Sequence, residues 1–470
     1  MKTNKLTEGP ILTSLLSLSI PIVVANILQT MYQLVDTFWV GRLGADAIAA
    51  VSITFPIIFL LIALGGGLTI AGSVLVAQYK GAKNYAKVDH ISAQTLLIMI
   101  LISFVLTIFG YFSSSFLVSL MGAETSVAAD ASAYLQISFL GMIFLFGYFV
   151  FQSLMRGVGD VKTPMIIVLG TVLLNLILDP IFIMGYGPIP GFGVAGAAIV
   201  TVLTQGLAAI IGLTMLFSGK YDVRLHLKDF KPDFVQIKKI FAIGVPASAE
   251  QTTVALGLAV MIILVSSFGT DAVAAYGIGT RILSFIIIPA VGLSIATSTL
   301  VGQNIGAKKI ERAERLSHVS AGVSLVVLTI LGIILYFLAE PISAFFVPGE
   351  TKVIQTSAHF IRIMAMTFGF FGVQQTYAGS FRGAGNTLAA MVIAFVALWV
   401  LRFPAAYILS RPDFLGEDGL WWSFPISNVI SGIMAYLWFI QGNWKNHPMV
   451  TESLSAKVSE ETLIEEAGVK

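Results

Sequence analysis

Long apolar stretches alternate with short polar breaks along almost the whole chain. A stretch of about 20 residues is enough to cross the roughly 30 Å hydrocarbon core of a bilayer as a helix. We read twelve such spans, and the sequence therefore predicts an all-α integral membrane protein. Their predicted bounds are 13–40, 49–79, 91–118, 131–155, 163–185, 194–217, 239–266, 274–304, 317–339, 355–381, 387–410 and 420–440.

The second half of the chain repeats the first. Segment 44–50 recurs as 269–275 at an offset of 225 residues, and 156–160 recurs as 382–386 at an offset of 226. Each copy holds six predicted spans, and an even number gives both copies the same orientation in the membrane. The pattern predicts two six-helix lobes related by a parallel pseudo-two-fold repeat. We expect an N-lobe at 1–218, a basic cytoplasmic linker at 219–238, a C-lobe at 239–442 and a polar cytoplasmic tail at 443–470.

Composition and charge fix the setting and the orientation. Of 470 residues, 57% are hydrophobic and 11% are charged, whereas soluble proteins average about 25% charged residues. If the N-terminus is cytoplasmic, the outer loops hold only Arg42, Lys352 and Arg411 of the 27 lysines and arginines. Positive charge concentrates on the cytoplasmic side of membrane proteins. We therefore expect a multi-pass protein of the cell membrane with both termini cytoplasmic.

Several kinds of chemistry are missing from the sequence. The chain has no cysteine, no GxxxxGK[ST] phosphate loop, and no histidine spaced with a carboxylate as in HExxH. These absences argue against disulfides, nucleotide hydrolysis by the P-loop route and a catalytic metal. We expect no enzymatic activity, no cofactor and no nucleic-acid partner.

Carboxylates inside the predicted spans occur almost only in the first copy. Asp36 aligns with Met261, and Asn175 and Asp179 align with Leu401 and Ala405. Asn175 and Asp179 are four residues apart, so they share one helix face. A charge inside the membrane costs several kcal/mol unless it is paired or wetted, which makes it a functional hypothesis by default. The N-terminal copy is therefore predicted to carry a polar site.

Two further residues reach the same predicted depth as Asp36 and Asp179. Tyr134 and Thr201 lie near the outer ends of their spans, so four helices place side-chain oxygens at one level. These groups could surround a proton or a small cation; a metal is expected only if it is sodium, held by Asp36, Asn175 and Asp179. The alternatives are carboxylates in the headgroup region, a tyrosine at the interface and a threonine bonded to its own helix.

Other polar or helix-breaking residues within the spans have separate interpretations. Pro21 shares a span with Asp36, and a proline weakens a helix, so Pro21 is the predicted hinge. Glu250 is the only acidic residue within the C-terminal spans; the interpretations are a residue that lines a cavity, a partner for an arginine on another helix, or a secondary coupling residue. Three arginines in the C-terminal spans are expected to extend toward the headgroups: Arg281, Arg362 and Arg402.

Several motifs resemble those of the multidrug and toxic compound extrusion (MATE) family. They are the glutamine and glycine that end the second span of each copy (Gln78 with Gly81, Gln303 with Gly306), the segment 156–164 and the segment 175–180. The resemblance implies a prokaryotic plasma-membrane exporter, a monomer among membrane lipids, with two lobes around a central cleft. It would export amphipathic or cationic drugs and toxins by alternating access, in exchange for protons or sodium.

The sequence looks most like the branch typified by DNA-damage-inducible protein F. That likeness implies an N-lobe coupling-ion site, with Pro21 at a bend of the first helix. The residues matching that site are Asp36, Tyr134, Asn175, Asp179 and Thr201. The norfloxacin-exporter branch also uses a carboxylate in span ten, and span ten here contains none.

The sequence leaves two other functions open. A flippase for lipid-linked precursors would share the duplicated helices, but it usually needs a cationic central cavity, and the outer N-lobe here is acidic. An intramembrane enzyme would need a nucleophile with its base, or a metal cluster, at one depth. The sequence names neither the substrate nor the coupling ion.

Overall fold

The computed structural model describes residues 5–446, which are helical over most of their length. Helices are expected here because no water is present in a bilayer core to bind exposed backbone amides. The first half contains α1 Lys5–Glu8, α2 Ile11–Gly41, α3 Ala45–Gly81, α4 Tyr85–Leu120, α5 Thr125–Leu140, α6 Met142–Val158, α7 Lys162–Met184 and α8 Val194–Ser218. The second half contains α9 Phe234–Ser266, α10 Thr270–Gly306, α11 Ile310–Phe346, α12 Thr351–Ala365, α13 Phe368–Gly383, α14 Thr387–Phe395, α15 Phe403–Leu409 and α16 Glu417–Ile440.

Within the described residues, ten helical segments are long and apolar enough to cross a membrane, and the pair α5–α6 makes eleven. That pair is bent by 48°, so the predicted span 131–155 is not one straight helix. The bend falls at Gly141, where a side chain would collide with Val202 of α8. The predicted span 355–381 corresponds to α12 and α13, which break at the same place in the repeat. This pair is too polar to be counted by composition alone.

The two halves interlock through their first helices. Helix α2 packs against α7 in its own half and against α10 in the other, while α9 packs against α14 and against α3. One buried cluster joins Leu15 and Leu18 of α2 to Leu293 and Leu300 of α10. The interface thus follows the pseudo-symmetry of the repeat, because the first span of each copy contacts the second span of the other.

A matched pair of hydrogen bonds closes the interface where α3 and α10 end. The side-chain amide of Gln78 donates to the Gly383 carbonyl at 3.0 Å, and that of Gln303 donates to the Gly157 carbonyl at 2.9 Å. Both glutamines are completely buried. We call this end of the molecule the glutamine end.

The helix ends approach so closely there that only glycine fits. A side chain at Gly81 would overlap the backbone carbonyl of Gln303, and one at Gly306 would overlap that of Gln78. The glutamine and glycine that recur in both copies are therefore the equivalent residues of the two halves in one pseudo-symmetric contact.

The prediction that Arg402 extends to the membrane surface is wrong. Arg402 is only 8% exposed and donates to Ser427 Oγ at 2.9 Å and Asn428 Oδ1 at 2.8 Å. It ends a π-helical segment, Val396–Arg402. The wider turn of a π-helix changes which face a residue occupies, and regular helical spacing could not reveal this.

The other two arginines have different surroundings. The Arg362 guanidinium lies 3.4 Å from the carboxylate of Glu340. Arg281 is exposed, and its guanidinium lies 5.9 Å from the centre of the Phe346 ring.

The segment between the two copies is attached to the start of α4. It contains a 3₁₀ turn, Leu227–Phe230, and then begins α9. The His90 ring lies 3.3 Å from Asp229 and 3.0 Å from Asp233, which also caps α9 by accepting from two backbone amides. Most of the predicted tail, 447–470 with His447, lies outside the described residues.

Candidate functional site

Helix α7 supplies the centre of the site. Asn175 and Asp179 are completely buried, and the Asn175 side-chain amide donates to Asp179 Oδ1 at 2.9 Å. The spacing of four residues brings them together, as one helical turn requires. Pro180 follows inside the helix and has no N–H to complete the backbone ladder beneath the site.

Helix α2 brings the second carboxylate to this point. Asp36 is partly buried and faces Asp179, Asn175 and Thr201. The helix is continuous from Ile11 to Gly41, so Pro21 does not break it. Pro21 is itself buried and lies fifteen residues before Asp36.

Four oxygens in this cluster are buried without a hydrogen-bond partner. They are Asp36 Oδ1, Asn175 Oδ1, Asp179 Oδ2 and Thr201 Oγ1. Buried polar atoms nearly always have a partner, and two carboxylates in contact away from water repel one another unless a proton or a cation lies between them. The arrangement is therefore suited to holding a positive charge.

Three tyrosine and threonine residues border the cluster. Tyr134 of α5 is 8% exposed and lies near both carboxylates and Tyr32. Tyr32 Oη and Thr204 Oγ1 share a hydrogen bond of 2.8 Å that ties α2 to α8. Sequence reasoning missed Tyr32 and Thr204. Their signal was spacing, because each lies about one helical turn from a residue already selected, Asp36 or Thr201.

Glu250 lies outside this cluster. It is 5% exposed on α9, and its Oε1 lies 3.4 Å from the guanidinium of Arg382 on α13. The Arg382 guanidinium also donates to Ser294 Oγ at 3.4 Å. Of the roles considered for Glu250, the structure shows the arginine contact.

The donor set of the cluster is oxygen only. Within residues 5–446, no group of three or more histidine, cysteine or acidic side chains could hold a metal ion. Carboxylate, amide and hydroxyl oxygens suit hard cations better than transition metals. A proton or an alkali cation fits such a set.

A cavity of about 710 Å³ opens between the halves, within the 300–1,000 Å³ typical of ligand pockets. Its lining is almost entirely apolar and comes from α3, α4, α9, α14 and the π-helical segment. Leu64, Leu256, Phe395 and Trp399 contribute to the walls, and Thr252 contributes a hydroxyl. Such a surface can accommodate the apolar part of an amphipathic molecule.

Comparison with protein families matches this chain to the MatE model twice, over residues 21–181 and 246–408. The two matched segments begin at Pro21 and Pro246, which are equivalent positions of the repeat.

Curated relatives match over nearly their full length. The chain is 31% identical over 450 residues to the probable multidrug resistance protein YoeA of Bacillus subtilis, covering 94% of this chain and 96% of the relative. It is 26% identical over 437 residues to the probable multidrug resistance protein NorM of Thermotoga maritima, covering 93% and 94%.

Solved structures share the whole architecture. An outward-facing conformation of a multidrug resistance MATE family transporter of the MOP superfamily matches with a TM-score of 0.86 and 26% identity. The match covers 93% of this chain and 97% of that one. A crystal structure of MATE in the bent conformation matches with a TM-score of 0.87 and 25% identity, covering 97% and 99%.

Proposed function

This chain belongs to the MATE family of multidrug transporters, and from that premise we propose that it exports amphipathic, often cationic compounds in exchange for protons or sodium ions. It is a membrane transporter and not an enzyme. The coupling ion would bind at Asp36, Asn175, Asp179 and Thr201, beside Tyr134. This is the N-half site of the branch typified by DNA-damage-inducible protein F.

The set of four unpartnered oxygens carries this function. They belong to α2, α7 and α8, and Asp36 faces the other three residues. A cation or proton at the site would give the four oxygens a partner, and without it they have none. A cationic substrate and a coupling ion would compete for the same negative charge, and that competition is the basis of antiport.

Alternating access needs a second conformation, and the described contacts indicate which end is closed here. The glutamine end joins the halves through Gln78 and Gln303. We assign this end to the cytoplasm, with both termini on the same side, so that this conformation would open outward. The moving bodies would be the N-lobe 1–218 and the C-lobe 239–442, with Pro21 as the hinge of α2.

The apolar cavity supports an amphipathic substrate more than a phosphate-bearing lipid precursor. Its lining offers hydroxyls and aromatic rings but no cation, whereas a flippase substrate would need positive charge for its phosphates. We therefore favour drug and toxin export, carried out by a monomer within the lipid of the plasma membrane.

Transport of a cationic dye by purified protein in liposomes tests this function. We expect an imposed proton or sodium gradient to drive dye movement, and Asp36→Asn to abolish it. Asp46→Asn is the matched control, because Asp46 is exposed at the start of α3. Undiminished transport by Asp36→Asn would overturn the coupling site, and no movement with either gradient would favour the flippase.

A further inference from the structure

The C-terminal half contains a counterpart of the ion site with the opposite charge. At the repeat offset of 226 residues, Thr201 corresponds to Ser427 and Tyr134 to Phe360. The positions of the amide and the carboxylate on α7 become apolar in the second copy. Arg402 lies one residue after the position that is equivalent to Asn175.

Arg402 and Asp179 occupy similar positions along equivalent helices of the two halves. Arg402 is fifteen residues after Thr387, the start of α14, along a path that ends in the π-helical segment. Asp179 is seventeen residues after Lys162, the start of α7. The two charges are thus at similar distances from the glutamine end, each within its own half.

The guanidinium is held by neutral groups alone. It donates through Nε to Ser427 Oγ and through Nη2 to Asn428 Oδ1, and it lies 4.5 Å from the centre of the Phe424 ring. Tyr276 of α10 lies close enough to interact electrostatically with Arg402. No carboxylate in the described part of the chain lies within salt-bridge distance of Arg402. Arginine has five N–H donors, and two of them have protein acceptors here.

Two neutral donors beside this arginine also have no acceptor. Tyr276 Oη and Trp421 Nε1 are buried and make no hydrogen bond. Both rings pack on Phe360, Tyr276 at 6.1 Å and Trp421 at 4.4 Å, and Phe360 in turn meets Phe424 at 5.2 Å, the ring that lies against Arg402. Trp421 lies one turn before Phe424 on α16. We call Arg402, Tyr276, Trp421, Ser427 and Asn428 the arginine cage.

We propose that the arginine cage binds a small monoanion, either a halide or the carboxylate group of a transported molecule. A buried cation is costly in the membrane unless it is paired, and the cage supplies donors without a matching acceptor. Charge-assisted hydrogen bonds from a guanidinium, completed by a phenol and an indole N–H, form a suitable anion site. This binding does not depend on the coupling-ion site of the other half.

Tryptophan fluorescence of the purified protein in detergent tests the cage directly. Bromide is the halide probe, since it quenches a nearby indole, and acetate is the carboxylate probe. We expect bromide to quench one component of the emission saturably, and Trp421→Phe to remove that component from the signal of the six tryptophans. If the site accepts carboxylates, acetate should displace bromide and reverse the quenching. If the site accepts only halides, acetate should leave the quenching unchanged. Either result supports an anion site.

Variants of Arg402 separate binding from structure. Arg402→Leu, which introduces the residue found at position 176 of the first copy, should abolish saturable quenching. Arg402→Lys keeps the charge but loses the planar fork, so it should bind bromide about tenfold more weakly. If Arg402→Leu does not fold, the lysine variant decides. Purely linear quenching in the unmodified protein, or saturable quenching unchanged by the Arg402 substitutions, would overturn the proposal.

Discussion

Replacing Gln78 and Gln303 by leucine should open the glutamine end of the transporter. Each glutamine donates one buried hydrogen bond to a backbone carbonyl of the other half. Leucine keeps much of the volume but leaves the carbonyl without its donor. Each single substitution therefore weakens closure from one side, and the double substitution weakens it from both.

The size of the effect follows from the two bonds. A net intramolecular hydrogen bond contributes about 0.5–1.5 kcal/mol, and polar contacts measured within membrane proteins average about 0.6 kcal/mol. With about 1 kcal/mol for each bond, a single variant shifts the ratio of open to closed forms about fivefold, and the double variant about thirtyfold. The two free-energy changes should add, and the two ratios multiply, if the bonds act independently.

Distance measurements between two spin labels report this equilibrium. The chain contains no cysteine, so Ala86→Cys and Glu311→Cys give two labelling sites without background. Both positions are exposed, and each is the second residue of its helix, α4 or α11. We expect the population at long distance to grow from the unmodified protein to the single variants and again to the double variant.

A matched control and a clear contrary result complete this test. Gln355→Leu makes the same chemical change at an exposed position of α12 and should leave the distances unchanged. A double variant with the same distance distribution as the unmodified protein would refute the reasoning, since the two bonds would then contribute nothing to closure.

Three further predictions follow from individual contacts. Gly81→Ala should shift the same distances toward the open form, because its side chain would overlap a backbone carbonyl of α10, whereas Gly66→Ala on the same helix has open space and should not. The pair Ala77→Cys and Gly302→Cys should form a disulfide, since the Cβ atoms would lie 3.1 Å apart, a few tenths of an ångström below the usual range of about 3.5–4.5 Å. Dye export should stop on oxidation and return on reduction. Export that continues in the crosslinked protein would contradict the claim that the glutamine end must open during transport. Asp233 is partly desolvated, but hydrogen bonds from the histidine on α4 and from two backbone amides outweigh that burial and lower its pKa below the usual 3.8. A pKa that is lowered in the folded state contributes stability at pH values above the usual pKa, and this stability is lost as the pH falls through the lowered pKa. Asp233→Ala should therefore reduce the free energy of unfolding at pH 7 by about 1 kcal/mol for the lost cap and lower the unfolding temperature, and the difference should shrink below about pH 4. An equal difference at every pH would contradict the ionic part of this account.

The sequence predicted the fold well because bilayer physics leaves few alternatives. Twenty apolar residues must form a helix in lipid, and the repeat at 225 residues gave the two-part architecture. The break at Gly141 and the π-helical segment before Arg402 were missed. Both depend on how neighbouring helices pack, and neither changes the apolar pattern along the chain.

The candidate site was predicted in part for a similar reason. Asp36, Asn175 and Asp179 are conspicuous because polar groups are rare inside spans, and the structure brings them together. Tyr32 and Thr204 were not selected, since tyrosine and threonine are common in membrane helices. Their roles depend on the register between α2 and α8, which only the packed structure gives.

Arg402 illustrates the same limit more sharply. From the sequence, Arg402 resembles an arginine that reaches the headgroups, because the sequence indicates its position along the span but not the direction of its side chain. Comparison of equivalent positions in the two copies reveals the loss of the carboxylates from the second copy, but it cannot show that an arginine occupies the corresponding interior.

Ion movement driven by the substrate is the most direct test of the proposed coupling. Liposomes holding the purified protein and reporters of internal pH and sodium would receive a gradient of cationic dye and no ion gradient. We predict that dye movement in one direction drives protons or sodium in the other, and that Asp36→Asn and Asp179→Asn abolish this ion movement. Dye movement without any ion movement, or ion movement that persists in both variants, would contradict an exchange built on the Asp36 and Asp179 site.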